Sequence, residues 1–408
     1  MKLNLTQWPK LVDYFLTLLI IFITDNPIFV EDRIFKLFVF VLVIIVFFYR
    51  KKKLDIQVFF VSFIVIFIIL LQGWKWGVNW FTVLSYLVLM VFTSYFFIKI
   101  VGFKFLIISS NLIYYSALIS LPLFLGQVIS SSFTQFLYII EKPFEAISSL
   151  PVRPSILIYS IAHNTVDQGN MSDFLRNPGM FHEPGAFAVF LVFAFAVNLI
   201  KSQRVITTRN IIIVLTIITT FSTAGYLALF ATIFFYITFY KNIRYIIFSM
   251  LVIIPMSIYV YNLPFMANKI EDQISAQSSQ SLNEATSGRI LGARKALVVL
   301  TKYPFSGRGL ISASRETDVT SVEFASYGFM VFFSQLGLVF SLFYFYYFLK
   351  GIIRSAHFYN KRNFIYLIVF SGLIINLFSQ KFMGDVFFIS FFFIGLLPYF
   401  YKKINYDN

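Results

Sequence analysis

Cysteine is absent from the 408 residues. That excludes disulfides, thiolate catalysis, zinc–thiolate sites and cysteine-linked lipid anchors, and leaves the redox compartment open. Charge is also scarce: Asp, Glu, Lys and Arg make up 12% of the chain, about half the share found in soluble domains. Set against 59% hydrophobic residues and a mean hydropathy of +0.81, this excludes an ordinary soluble domain. The bilayer is the expected solvent. No group of His, Asp and Glu has metal-ligand spacing, so neither a metal nor another cofactor is expected. A net charge of +15 would suit nucleic acid, but the basic residues are spread over short loops, and no nucleic-acid partner is expected.

What the chain does have is long apolar runs. A membrane span needs roughly 20 mostly apolar residues, and twelve candidates begin near Trp8, Ile34, Ile56, Val78, Phe103, Gly185, Val205, Ala224, Tyr245, Phe324, Phe364 and Val386. The first apolar run follows only two lysines, Lys2 and Lys10, and lacks a small-residue cleavage pattern, so it reads as a retained helix. The seventh and eighth meet at a tight turn, Ser222-Thr223-Ala224-Gly225. The expected fold is all-α: one integral membrane domain over residues 1–408, with about a dozen transmembrane helices and two long loops.

Lys and Arg concentrate in alternate short segments, from Lys10, Arg50 to Lys53, Lys99 and Lys104 through Lys201 to Arg209 and Lys350 to Arg362 to Lys402 and Lys403. The opposite short segments hold only Arg33, Lys36, Lys75 and Lys381. The positive-inside bias then makes both termini cytoplasmic in a multi-pass protein of the cytoplasmic (inner) membrane. The long loops, residues 126–184 and 263–323, fall outside. Each is too short for a core of its own and must lie on the helix bundle. Long loops in an otherwise economical membrane protein are where chemistry is expected.

In the first loop, Phe133, Phe136, Leu137, Ile140, Phe144 and Ile147 recur at helical spacing, interrupted by Pro143. One or two amphipathic helices are expected, either closing the top of the bundle or guiding a lipid chain. Residues 273–281 are Ser/Gln-rich and expected to be flexible.

The expected spans are almost free of ionisable residues, which argues against a proton-coupled transporter. Lys381 and Asp385 read as a solvated turn between the last two spans. The first loop is sharper. Arg176, His182 and Glu183 lie within eight residues, directly before the sixth span, on a stretch that Pro178, Gly179 and Pro184 make a rigid turn.

In the second loop, Thr286-Ser287-Gly288-Arg289 opens a helix expected to run to about Lys302, with Thr286 or Ser287 as cap. Arg289 shares a face with Ala293, Ala296 and Leu300. A cation in a helix's first turn opposes the dipole unless an anion is near. Arg289 therefore either helps build an anion site or pairs with an acid such as Glu183 or Glu284, and both readings stay open. Phe305-Ser306-Gly307-Arg308-Gly309 permits a tight turn or a close approach of backbone to a ligand. His163 and His357 read as structural.

Together these stretches resemble the O-antigen polymerase and O-antigen ligase superfamily. The motifs are R-x-x-G-x-F-x-E-P over residues 176–184, FSTAGYLALF over 221–230, T-S-G-R-I over 286–290, YPFSGRGL over 303–310 and SQLGLVF over 334–340. The resemblance covers about residues 174–340. It implies a metal-independent glycosyltransferase that joins undecaprenyl-pyrophosphate-linked oligosaccharide repeat units outside the cytoplasmic membrane. It also implies one essential Arg in each long loop, at the matching positions Arg176 and Arg289. Arg294 and Arg308 are counted with them as candidate pyrophosphate ligands.

Glu183 is then the first candidate for general base and His182 the second. The implied partners are the lipid-linked donor and acceptor, membrane lipid and a chain-length regulator protein. Ligases of the superfamily carry a His where this chain reads Ser326-Tyr327, which tilts the expectation to the O-antigen polymerase family. The alternatives are the O-antigen ligase and a flippase or transporter of the same lipid-linked sugars.

Overall fold

The computed structural model describes residues 8–76, 80–150, 154–162, 166–167, 170–171, 175–240, 289–309, 328–360, 364–380 and 382–398. Among these the chain is almost entirely helical. Helices α1 (Trp8–Asp25), α2 (Arg33–Tyr49) and α3 (Ile56–Trp76) are followed by α4 (Trp80–Tyr86), which passes through a π-helical turn (Leu87–Phe92) into α5 (Thr93–Val101). Then come α6 (Lys104–Ile129), α7 (Ser131–Glu145) and two short hairpins, β1 (Ser155–Ile156) with β2 (Tyr159–Ser160) and β3 (Val166–Asp167) with β4 (Asn170–Met171). The rest is α8 (Pro184–Ser202), α9 (Thr208–Thr219), α10 (Thr223–Tyr240), α11 (Arg289–Lys302), α12 (Gly328–Leu336), α13 (Leu338–Tyr359), α14 (Tyr366–Ser379) and α15 (Val386–Leu396).

Three stretches are long and apolar enough to cross a membrane among the described residues: Leu84–Val101, Lys104–Ile129 and Pro184–Ser202. At 1.5 Å per residue α6 extends about 39 Å, more than a hydrocarbon core of about 30 Å. The expected ninth span, from Tyr245, lies outside the described residues, as do Gln273 to Ser281, Thr286 to Gly288, Lys381, His163 and Ser326. α9 has only 12 residues, about 18 Å, so the seventh expected span is short of a full crossing by itself.

The chain forms two compact units: residues 1–52, 96–250 and 352–376, and residues 53–95, 251–351 and 377–408. In the first, α8 is the central helix. Its sequence from Pro184 to Ile200 is apolar on every side apart from Asn198, and all of it is buried. Small residues let neighbours reach it: a Cβ on Gly225 of α10 would lie 2.8 Å from the Ala188 methyl.

One end of this unit is tied by charge. Asp13, buried in α1, takes Arg50 at 2.6 Å and Lys104 at 3.8 Å. This brings the start of α1, the end of α2 and the start of α6 together. The other end of α1 bears Asp25 and Asn26, whose amide donates to the carbonyls of Met180 (2.8 Å) and Leu157 (3.3 Å). That end therefore carries the first long loop.

In the second unit the helix expected from Phe324 is broken. Gly337, at φ +78°, separates α12 from α13, and a loop whose residues Gly307 to Gly309 are buried occupies the gap. Arg308 and Gly309 donate backbone N–H groups to the carbonyls of Ser334 (2.8 Å) and Gln335 (3.0 Å), and Leu338 N–H donates to Pro304 O (2.7 Å). The Gln72 amide donates to the carbonyls of both Ser306 and Gln335 at 2.9 Å. Carbonyls freed by the break are thus satisfied within the protein. α13 then runs past Lys350 and Arg354, which had read as loop residues, and Arg354 is buried.

Of the turn before α15, expected to be solvated, Lys381 lies outside the described residues and Asp385 is half-buried. Phe382 and Met383 are buried, and the Tyr344 hydroxyl donates to Met383 O at 2.6 Å. α13 and α15 cross where a Cβ on Gly351 or Gly395 would fall 1.8 Å from a carbonyl of the other helix, so glycine sets their approach.

Candidate functional site

The segment Leu175–Glu183 is short and irregular, yet almost every backbone turn in it is fixed by a partner far away in sequence. Asn177 is fully buried. Its N–H donates to Thr219 O (2.9 Å), its amide to Thr219 Oγ1 (3.0 Å), and its Oδ1 accepts from Gly179 N–H (3.0 Å). Gly179 has φ +57°, and a Cβ there would lie 2.5 Å from the Phe187 ring, so no other residue fits without strain. Phe181 is buried and stacks on Phe190 with centroids 4.5 Å apart. The turn is thereby clamped onto α8, and the rigidity read from Pro178 and Gly179 has a structural basis.

Glu183 sits in extended backbone (φ −131°, ψ 143°) as the residue before α8, with Pro184 in the first turn. Its side chain makes no capping bond to the helix. Instead Glu183 Oε1 lies 3.4 Å from His182 Nε2, while His182 Nδ1 lies 2.5 Å from Asp25 Oδ1. The His182 N–H also donates to Asp25 O at 3.0 Å. An imidazole is thus held between two carboxylates, one buried at 2% side-chain exposure and one at 33%, with His182 itself at 24%. The order runs from the interior outward: Asp25, His182, Glu183.

Burial alone would lower the His182 pKa. The facing Asp25 carboxylate and its hydrogen bond, joined by Glu183, outweigh that and push it up to about 10. With both nitrogens facing carboxylates, His182 is placed to hold Glu183 in position and poorly placed to accept a proton at neutral pH.

The raised pKa has a stability consequence of definite sign. Against an unfolded value of about 6.5, the stabilisation is fully present below that pH and is lost as pH rises towards 10. Asp25→Asn removes the main cause, so the variant should melt lower than wild type between pH 7 and 8, where both partners are charged, and approach it at pH 10. A gap in melting temperature independent of pH would show that no imidazolium is stabilised there.

Arg176 belongs to the same segment but is anchored elsewhere. Its Nε donates to Thr220 O at 3.1 Å, at the C-terminal end of α9, where a cation suits the helix dipole. The Ser222–Gly225 turn that follows is the tight one expected, with Ser222 Oγ accepting from Gly225 N–H at 3.2 Å.

Arg289, Arg294 and Arg308 lie in the second unit. Arg289 begins α11, which ends at Lys302 as expected. The side chains of Arg289 and Arg294 lie outside the described residues. Arg308 is buried, and its glycine neighbour Gly307 closes on protein backbone: a Cβ there would lie 2.3 Å from Gln335 O. For Gly307 this is the tight turn of the two uses expected.

Asp25 is the residue that reading the sequence missed. A carboxylate in the last turn of a helix opposes the dipole, so Asp25 before Asn26-Pro27 was an anomaly available to notice. Its partner stands 157 residues away, and nothing local points to it. No group of three or more His, Asp and Glu among the described residues could hold a metal ion. No family model matches the chain, and neither a curated protein nor a solved structure does.

Proposed function

We propose that this chain is a multi-pass membrane glycosyltransferase of the O-antigen polymerase type, joining polyprenyl-pyrophosphate-linked oligosaccharide repeats at the end of the bundle that carries the first long loop. The supporting observation is the Asp25–His182–Glu183 array, which ends in a partly exposed carboxylate without a capping duty, on a turn that also holds Arg176.

In the proposed step the acceptor hydroxyl oxygen attacks the anomeric carbon of the donor sugar. The bond from that carbon to the pyrophosphate oxygen breaks, and its electron pair leaves with the pyrophosphate. The hydroxyl proton passes to Glu183 Oε, which general-base catalysis requires to be ionised and within hydrogen-bond reach. Guanidinium groups neutralise the charge developing on the leaving phosphate, the work a metal ion does in other transferases. Arg176 is assigned this role from its place in the turn. Arg289 is assigned it through the family resemblance.

Purified protein in vesicles with a synthetic lipid-linked repeat unit tests the proposal. Chains of two or more repeats on one polyprenyl anchor, formed without added metal, are the expected product. Movement of the substrate across the bilayer with no new glycosidic bond would replace the enzyme with a transporter. Transfer only to a second, different glycolipid would replace the polymerase with a ligase.

A further inference from the structure

Helix α7 has three faces where a helix lying on a soluble core has two. Successive residues turn by about 100°, which separates its side chains into three stripes. The inner stripe is Phe133, Leu137 and Phe144. Leu137 is buried, and the two rings pack with it against a cluster containing Phe124, Ile156 and Tyr159. A second stripe, Ser131, Gln135, Lys142 and Glu145, is exposed and polar. The third, Phe136, Ile139 and Ile140, is exposed and apolar beyond Ser132 of the first turn, with Phe136 at 52% and Ile139 at 64%, and Ile147 continues it just past the helix end. Pro143 falls within this apolar stripe, in the last turn, so α7 continues through it to Glu145 as one helix.

An apolar stripe beside a polar one, both open, on a helix whose remaining face is packed, fits a boundary between hydrocarbon and water. The neighbouring element agrees. α6, long enough to cross a bilayer, ends with Leu125, Val128 and Ile129 exposed. Ser130 alone, in extended backbone, separates that turn from α7 and caps α7 by accepting from Phe133 N–H at 3.3 Å. The exposed apolar surface of a membrane-capable helix therefore passes directly into the apolar stripe.

We propose that α7 is an interfacial helix seated in the headgroup boundary of the leaflet beside the site, with the Phe136–Ile147 stripe among the acyl chains and the Gln135–Lys142 stripe in water. Its inner face connects it to the site first by apolar packing on the hairpin and then by hydrogen bonds. Ile156 and Tyr159 belong to the β1–β2 hairpin. The Tyr159 hydroxyl donates to Gln127 Oε1 of α6 at 2.6 Å, and Ser160 N–H donates to Gly179 O at 2.6 Å, three residues before His182. α7 thus sets the level of the lipid surface relative to the Arg176–Glu183 turn. A substrate with a membrane-bound tail and a water-soluble head would meet that turn at the junction of the two. The proposal rests on the chain being a membrane protein and is independent of which reaction it catalyses.

Since the chain has no cysteine, single nitroxide labels can be placed at will on full-length protein in phosphatidylethanolamine–phosphatidylglycerol vesicles. Labels on Phe136→Cys and Ile140→Cys should collide several-fold more with oxygen than with a water-soluble nickel chelate. Labels on Gln135→Cys and Lys142→Cys should show the reverse. A label on Leu118→Cys, exposed in the middle of α6, is the control. With that control in lipid, nickel access at 136 and 140 would put the stripe in water, and shielding from both reagents would put it against protein such as a second copy. Either result overturns the proposal. A Leu118 label open to nickel would show instead that the membrane reading had failed.

Discussion

Glu183→Gln should lower the rate of polymer formation by about 10³-fold, within the 10² to 10⁴ that a general base typically contributes, while the lipid-linked substrate still binds. Gln keeps the shape and one acceptor oxygen for His182 Nε2 but cannot take a proton. The start of α8 should stay in place, and only the part of the His182 stabilisation that the Glu183 charge supplies should be lost. Glu183 makes no side-chain cap, and the start of α8 is held by Pro184 and by Phe187 N–H donating to the Glu183 carbonyl at 3.1 Å. The check is turnover per folded molecule, with substrate affinity measured separately. Full turnover in Glu183→Gln would move the base to another group, and full turnover in His182→Gln as well would remove this array from the chemistry.

Arg176→Lys should cost about 10² to 10³ in turnover, the size seen when one fixed donor to a developing oxyanion is lost. Lysine keeps the charge but not the planar fork that can serve a carbonyl and a phosphate from different edges. The competing account is structural: Arg176 Nε caps the end of α9 through Thr220 O. A pure capping role predicts a stability loss of about 1 kcal/mol, the worth of one hydrogen bond, with unchanged turnover in the protein that remains folded. Thermal melting and activity per folded molecule, measured on the same sample, separate the two. Loss of activity per folded molecule, whatever the shift in melting, supports the phosphate role.

The parts of the site differ in how far the sequence reveals them. Gly179 and Pro178 announce a rigid turn because backbone conformation is a local property, and the turn is there. Glu183 and Pro184 announce the start of α8 for the same reason. Arg176 was legible as a cation near the end of a loop, but its Thr220 partner was not. Asp25 was invisible as a site residue, because its meaning comes from a contact across 157 residues.

Asp13, Arg50 and Lys104 show the same limit. The two basic ones were counted as charges of short loops. Their closure on one buried carboxylate depends on three helix ends meeting, which no window of sequence contains.

By itself the sequence determined the helical class, the starts of most described helices to within a few residues, and the amphipathic character of α7. All of these follow from the 3.6-residue period and from the scarcity of groups that would need water. Only the tertiary structure decided that α12 and α13 are separate helices, since that break exists to admit the Phe305–Gly309 loop. Likewise, only it decided that His182 stands between two carboxylates. Hydrophobic patterning specifies which faces are hidden, whereas the pairing of buried polar groups depends on which helix ends come together, and that is settled by packing.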